Sequence, residues 1–200
     1  MQGPYHQLSQ ELWSHKTDEL IAAFPLRMNE LVEIVLSSWS DIFKTTVGAR
    51  KFAIGQQLIF PPQVLGSMLE QLIGHELSER HPWQWRLGSE ASEKDVVCIP
   101  DSNFSFEIKT SSHRSQIFGN RSYAQPTENG KKSKSGYYLA VNFDKVERNA
   151  KDPSIRKIRF GWLDHSDWRG QAAATGQQAN LSVEVARHKL RTLYEGSASK

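Results

Sequence analysis

Leu31, Val35, Trp39 and Ile42 recur at helical spacing, with Ile34 and Phe43 beside them, so residues 1–60 read as a mainly helical scaffold. Pro61-Pro62 interrupts that pattern. Leu65, Met68, Leu69, Leu72, Ile73 and Leu77 then follow the i, i+3, i+4, i+7 rule, which predicts a helix over 63–79 with one face on a core. After His81-Pro82 the period changes to short strand-like runs at Asp95–Ile99, Phe104–Thr110, Tyr137–Phe143 and Ile155–Leu163. These runs predict a central sheet. Leu181, Val185, Leu190, Leu193 and Tyr194 return to helical spacing and predict an amphipathic helix over 181–194, followed by a polar tail to 200. No repeat or linker divides the 200 residues, so the chain reads as a single α/β (α+β) domain, with 61–180 as its core.

A hydrophobic fraction of 38% and a charged fraction of 24% fit a globular chain. No run of ~18 apolar residues is present, and the first residues lack the apolar core of a secretory signal, so a cytoplasmic location is expected. The one cysteine, Cys98, lies among Val96, Val97 and Ile99 and reads as a buried structural thiol. The net charge of +3 hides a segregation: residues 109–159 carry 12 Lys/Arg against 4 Asp/Glu, and the rest of the chain 13 against 18. Such a basic middle favours a polyanionic partner, because each neutralised phosphate releases counterions. From Arg121 to Gly136 the text is rich in Gly, Ser, Asn and Lys, which marks a long, mobile, basic loop.

The stretch from Ser92 to Ser112 contains two strand-like runs around Pro100-Asp101-Ser102-Asn103, a cluster of turn formers, and reads as a β-hairpin. Glu107 and Lys109 are two residues apart on its second strand, so both side chains project to one face. A carboxylate beside an ammonium suits phosphodiester hydrolysis: carboxylates hold Mg²⁺, and a lysine orients or deprotonates the nucleophile. A second carboxylate must fix the ion. Asp101 sits at the turn, and six extended residues at ~3.3 Å each put it roughly 20 Å from Glu107. Asp95 returns beside Glu107 when the hairpin closes, provided that the loop has three or five residues or the strand a bulge; a four-residue loop would oppose Asp95 to Ile108.

The order of a helix glutamate, a hairpin aspartate and then Glu-x-Lys resembles the PD-(D/E)XK nuclease superfamily, with Glu70, Asp95, Glu107, Ile108 and Lys109 at the matching positions. More specifically, EIKTSS at 107–112, IFGNRSYAQ at 117–125, GYYLAVNFDK at 136–145 and RFGWLDHSDWRGQ at 159–171 resemble the ScaI-type restriction endonucleases. The resemblance implies a mixed β-sheet flanked by helices, a homodimer, and Mg²⁺-dependent cleavage of double-stranded DNA at a short palindrome, in a system that also contains a cognate DNA methyltransferase. It implies a metal site formed by Asp95, Glu107 and the Ile108 carbonyl. The assisting helix carboxylate would be Glu70, although Glu76 lies nearer the middle of the apolar stripe.

Polar groups that can meet DNA cluster after the Glu-x-Lys strand. Ser111, Ser112, His113 and Arg114 emerge directly from it, Asn120, Arg121 and Gln125 suit base edges, and Lys131, Lys132 and Lys134 suit phosphates. Trp162, Trp168 and Tyr123 read as core. Asp164-His165-Ser166-Asp167 reads as a turn, since consecutive residues rarely converge on one substrate atom. His75-Glu76 has Glu79 where a zinc-protease helix needs its second histidine. Two other readings remain open from the residues alone: a structure-specific repair or recombination nuclease, and a non-catalytic DNA-binding protein that uses only the basic middle.

Overall fold

The computed structural model describes residues 3–126, 132–148, 153–173 and 175–196. Helices α1 (Trp13–Ala22) and α2 (Met28–Lys44) come first, then a small hairpin of β1 (Thr46–Val47) and β2 (Phe52–Ala53), and then helix α3 (Pro62–Arg80). Strands β3 (Trp85–Leu87), β4 (Val96–Cys98), β5 (Phe106–Ser111) and β6 (Phe118–Asn120) lead to the long pair β7 (Gly136–Phe143) and β8 (Ile155–Leu163). The chain continues through β9 (Trp168–Gly170), β10 (Gln178–Leu181), the six-residue α4 (Val183–His188) and β11 (Leu190–Glu195). No helix among the described residues is long and apolar enough to cross a membrane.

Six strands form the main sheet in the order β11-β8-β7-β5-β4-β3. It is mixed: β5 and β7 run parallel, and the other neighbours run antiparallel. Its period of two sorts the side chains between two cores. Tyr137, Leu139, Val141 and Phe143 of β7 join Phe106 and Ile108 against the helical scaffold, where Leu65, Leu69, Ile73 and Leu77 of α3 are buried. Tyr138 and Ala140 face the other way, into a smaller core with Tyr123, Trp168 and Ala179, beneath the three-stranded sheet β6-β10-β9. Helix α3 can lie close to β5 because residue 66 is glycine; a Cβ there would stand 2.2 Å from Thr110 Oγ1.

The C-terminal amphipathic helix is a correction. Only Val183–His188 are helical, capped by Ser182 Oγ, which accepts from Val185 N, and Leu190–Glu195 pair antiparallel with β8. Without that pairing, the nine-residue β8 would expose a row of unpaired backbone groups, and the need to satisfy them overrides the helical spacing of Leu190, Leu193 and Tyr194. The close approach is built in at Gly161, where a Cβ would meet the Lys189 carbonyl oxygen at 2.0 Å.

The two ends of the basic loop are held in place, while its middle, 127–131, lies outside the described residues. Arg121–Ala124 form a 3₁₀ turn with Tyr123 buried, and Lys94 Nζ donates to the Ser133 carbonyl at 2.6 Å, so both described ends of the loop are anchored. The Asp164–Asp167 motif is a turn, closed by a capping box in which each aspartate accepts a backbone N–H from the other's end. Cys98 is buried, and burial pushes its thiol up.

Candidate active site

The β4–β5 connection decides which carboxylates meet. It runs over 99–105, an odd number of residues, with a 3₁₀ turn at Ser102–Phe104 that Asp101 caps by accepting from Asn103 N. Val96 pairs with Phe106, and continuing that register by one residue sets Asp95 opposite Glu107. Asp101 stays exposed at the turn. The connection is longer than the three or five residues expected, but its parity is the one the Asp95 reading requires.

Each carboxylate has one oxygen tied into the fold and one turned toward a shared cation. Asp95 Oδ2 accepts from Ile108 N at 2.8 Å, while Oδ1 accepts from Lys132 Nζ at 2.7 Å. Glu107 Oε1 accepts from the Tyr123 hydroxyl and from Lys109 Nζ, the latter at 3.0 Å. Its Oε2 lies 2.8 Å from Lys132 Nζ in an ion pair that is not aligned as a hydrogen bond, and among the described residues this buried oxygen has no hydrogen-bond partner. Lys109 Nζ also donates to the Ile108 carbonyl at 3.2 Å.

Burial alone would raise the Glu107 carboxyl, but Lys109, Lys132 and Lys94 outweigh it and hold it at about 2. The same carboxylates act on Lys132, raising it against the opposing effect of burial. Burial pushes Lys94 down to about 8, with Glu107 resisting. Glu70 shows the reverse balance: burial and then the Asp95 charge raise it to about 7, although Lys109 pulls it down. Glu70 therefore shares the field of the site, whereas Glu76 pairs with Arg80 at 2.7 Å on the surface. A carboxyl raised on folding favours the protonated folded state, so Glu70 reduces stability as pH rises from its ordinary 4.5 through about 7. In chelated buffer, Glu70→Gln is expected to raise Tm more at pH 8 than at pH 5, measurable by paired thermal melts.

Among the described residues no three His, Cys, Asp or Glu side chains come together as a metal cluster. What converges is two carboxylate oxygens on one positive charge, with the Ile108 carbonyl beside them. An all-oxygen set of this kind suits a hard divalent cation and not zinc.

Lys132, expected on a phosphate, is instead inside the site. Ser111 is buried, and its hydroxyl accepts from His113 N at 3.0 Å; His113 Nδ1 accepts from Gln116 N at 3.0 Å. Arg121 Nη1 donates to the carbonyls of Ala173 and Gly176 at 3.2 and 3.4 Å, so its guanidinium supports a neighbouring loop. Lys134 Nζ stands 4.6 Å from the centre of the Tyr123 ring. Arg114, Asn120 and Gln125 are exposed, Ser112 is half-buried, and Lys131 lies outside the described residues. The sequence reading missed Lys94 and gave Tyr123 only a core role. The position of Lys94 next to Asp95 was the available signal for the first; no local pattern marked the second.

A mixed sheet that presents an aspartate and a Glu-x-Lys pair on adjacent strands, under a helix carboxyl, is the frame of a type II restriction endonuclease. The chain belongs to the ScaI restriction endonuclease family, whose model matches residues 3–194. It is 45% identical over 196 residues to the type II restriction enzyme ScaI of Streptomyces caespitosus, covering 97% of this chain and 86% of that one. The crystal structure of the restriction endonuclease BglI bound to its DNA recognition sequence aligns over 94% of this chain and 95% of its own, at 10% identity and a TM-score of 0.46. That likeness is too distant to bear on function.

Proposed function

We propose that this endonuclease uses Mg²⁺ to hydrolyse both strands of duplex DNA at a short palindrome, as a cytoplasmic homodimer in which each subunit cuts one strand. A cognate methyltransferase would protect the host's own sites. The observation that carries the metal reading is the convergence of Asp95 Oδ1 and Glu107 Oε2 on a single cation, 2.7 and 2.8 Å away. Asp95, Glu107 and the Ile108 carbonyl would hold the ion, which when bound supplies Lewis acidity to the water and the phosphate.

The chain's own groups do the rest. Lys109 Nζ donates to Glu107 Oε1 and to the Ile108 carbonyl, which leaves one N–H to orient the attacking water; once that proton has been lost to solvent, the neutral amine can take up the proton of the water. Water oxygen bonds to phosphorus as one phosphate ester P–O bond breaks. Lys94, Lys132 and Lys134 add positive charge around two carboxylates, which favours the polyanionic substrate. Glu70 on α3, which feels the charges of Asp95, Glu107 and Lys109, would be the assisting carboxyl. Arg114, Asn120 and Gln125 are exposed and suited to contact the duplex.

Incubation with plasmid DNA tests the reading: Mg²⁺ is expected to give a fixed set of fragments, EDTA to prevent them, and Asp95→Asn to remove both cleavage and calorimetric Mg²⁺ binding. Fragments that persist in EDTA would overturn it.

A further inference from the structure

We propose that Lys132 is an internal counter-ion that occupies the cation position of the free enzyme and must be displaced by the metal, so that metal loading and DNA binding assist one another. The inference rests on the reading of Asp95 and Glu107 as metal ligands, and deepens it.

Among the described residues, Asp95 and Glu107 have only two carboxylate oxygens uncommitted to the fold. Asp95 Oδ2 is committed to the Ile108 N–H, and Glu107 Oε1 to the Tyr123 hydroxyl and Lys109. The two remaining oxygens are the ones facing Lys132 Nζ, at 2.7 and 2.8 Å. A Mg²⁺ ion needs its oxygens at ~2.0–2.1 Å, so it must take the same two lone pairs at closer range. An ammonium and a divalent cation cannot share them, because like charges at that separation repel strongly in a poorly hydrated site. The site is indeed shielded: the Lys132, Asp95 and Glu107 side chains are 17%, 12% and 2% exposed.

Lysine suits such a role. Its charge is a point on a flexible four-carbon stem, so it can leave the carboxylates without rearranging the sheet that bears them. In the free protein it offsets the repulsion between two carboxylates that face each other across the hairpin. Once displaced, the ammonium gives up its two carboxylate partners, and a phosphate oxygen of the DNA suits it as a replacement. DNA thereby lowers the cost of displacing Lys132, and by reciprocity the metal strengthens DNA binding.

The test is calorimetric titration of Mg²⁺ into the DNA-free protein, with Lys132→Met, Lys132→Gln, Lys132→Arg and Asp95→Asn. Methionine and glutamine remove the competing charge and are expected to tighten Mg²⁺ binding by about tenfold or more, a typical size for coupling between sites. Arginine keeps the charge and should keep the weak binding. The same change should appear in thermal melts, as a larger Mg²⁺-dependent rise in Tm for methionine and glutamine than for the parent. Two neutral variants that both fold and bind Mg²⁺ no more tightly than the parent, while Asp95→Asn abolishes binding, would overturn the counter-ion role and leave the metal site standing. Undiminished binding by Asp95→Asn would remove the metal site and this inference together.

Discussion

Replacing Lys109 by alanine is expected to lower the cleavage rate by about 10³-fold while changing DNA affinity by less than about tenfold. The split follows from where the ammonium sits. Lys109 Nζ is fixed 3.0 Å from Glu107 Oε1 and 3.2 Å from the Ile108 carbonyl, beside the groups proposed to hold the ion and away from the exposed positions that would grip the duplex. It therefore acts on the reacting phosphate and contributes little to overall attachment. Single-turnover cleavage and fluorescence anisotropy on one labelled duplex measure the two quantities separately. Lys109→Arg sharpens the result: arginine restores positive charge but cannot exchange its proton near neutral pH. If Lys109 takes up the proton of the attacking water, arginine stays near the alanine level. Full recovery with arginine would assign Lys109 a purely electrostatic role.

The second large effect concerns stability. Glu107 is 1% exposed and faces Lys109 and Lys132 directly, with Lys94 also acting on it. Removing one member of a buried charge group costs roughly 3–5 kcal/mol, because the other charges stay buried without compensation. Glu107→Gln is expected to fall in that range in metal-free urea unfolding at pH 7. Acid should reproduce part of the loss in the parent. A carboxyl held at about 2, against an ordinary 4.5, contributes stability that is complete above about pH 4.5 and disappears as pH falls toward 2. Over that interval the shift corresponds to roughly 3 kcal/mol. The gap between parent and Glu107→Gln should thus narrow as pH drops below about 4.5. A gap that stays constant with pH would show that Glu107 is not the group being titrated.

The parts of the fold and site that could be read from the sequence were those governed by a short period. Glu107 and Lys109 share a face because strands alternate, and Asp95 joins them because only an odd-length connection returns it to that face. Helix α3 and strand β8 were legible for the same reason: one apolar stripe at helical spacing, one unbroken strand-like run. Lys132 and Tyr123 were not, since they reach their partners Asp95 and Glu107 from 37 and 16 residues along the chain. No periodicity reports such a meeting. Leu190, Leu193 and Tyr194 misled because helical and strand spacing agree over so few positions, and the bare edge of β8 decided between them.

That edge has a bearing on how the molecule is born. Strands β3, β4, β5, β7 and β8 are all synthesised before Leu190–Glu195, the segment that completes the sheet. Just ahead of it, Lys189 pairs with Asp167 at 2.7 Å and lies over the rings of Tyr5 and Trp13, while Thr17 donates to the His188 carbonyl from 171 residues away. A nascent chain that already carries Asp95, Glu107 and Lys109 thus still lacks the contacts that join Tyr5, Trp13 and Thr17 to His188 and Lys189. Contacts of such long sequence separation form slowly and late. The sheet that carries Glu107 and Lys109 is therefore finished only after its last-made strand, Leu190–Glu195, has emerged.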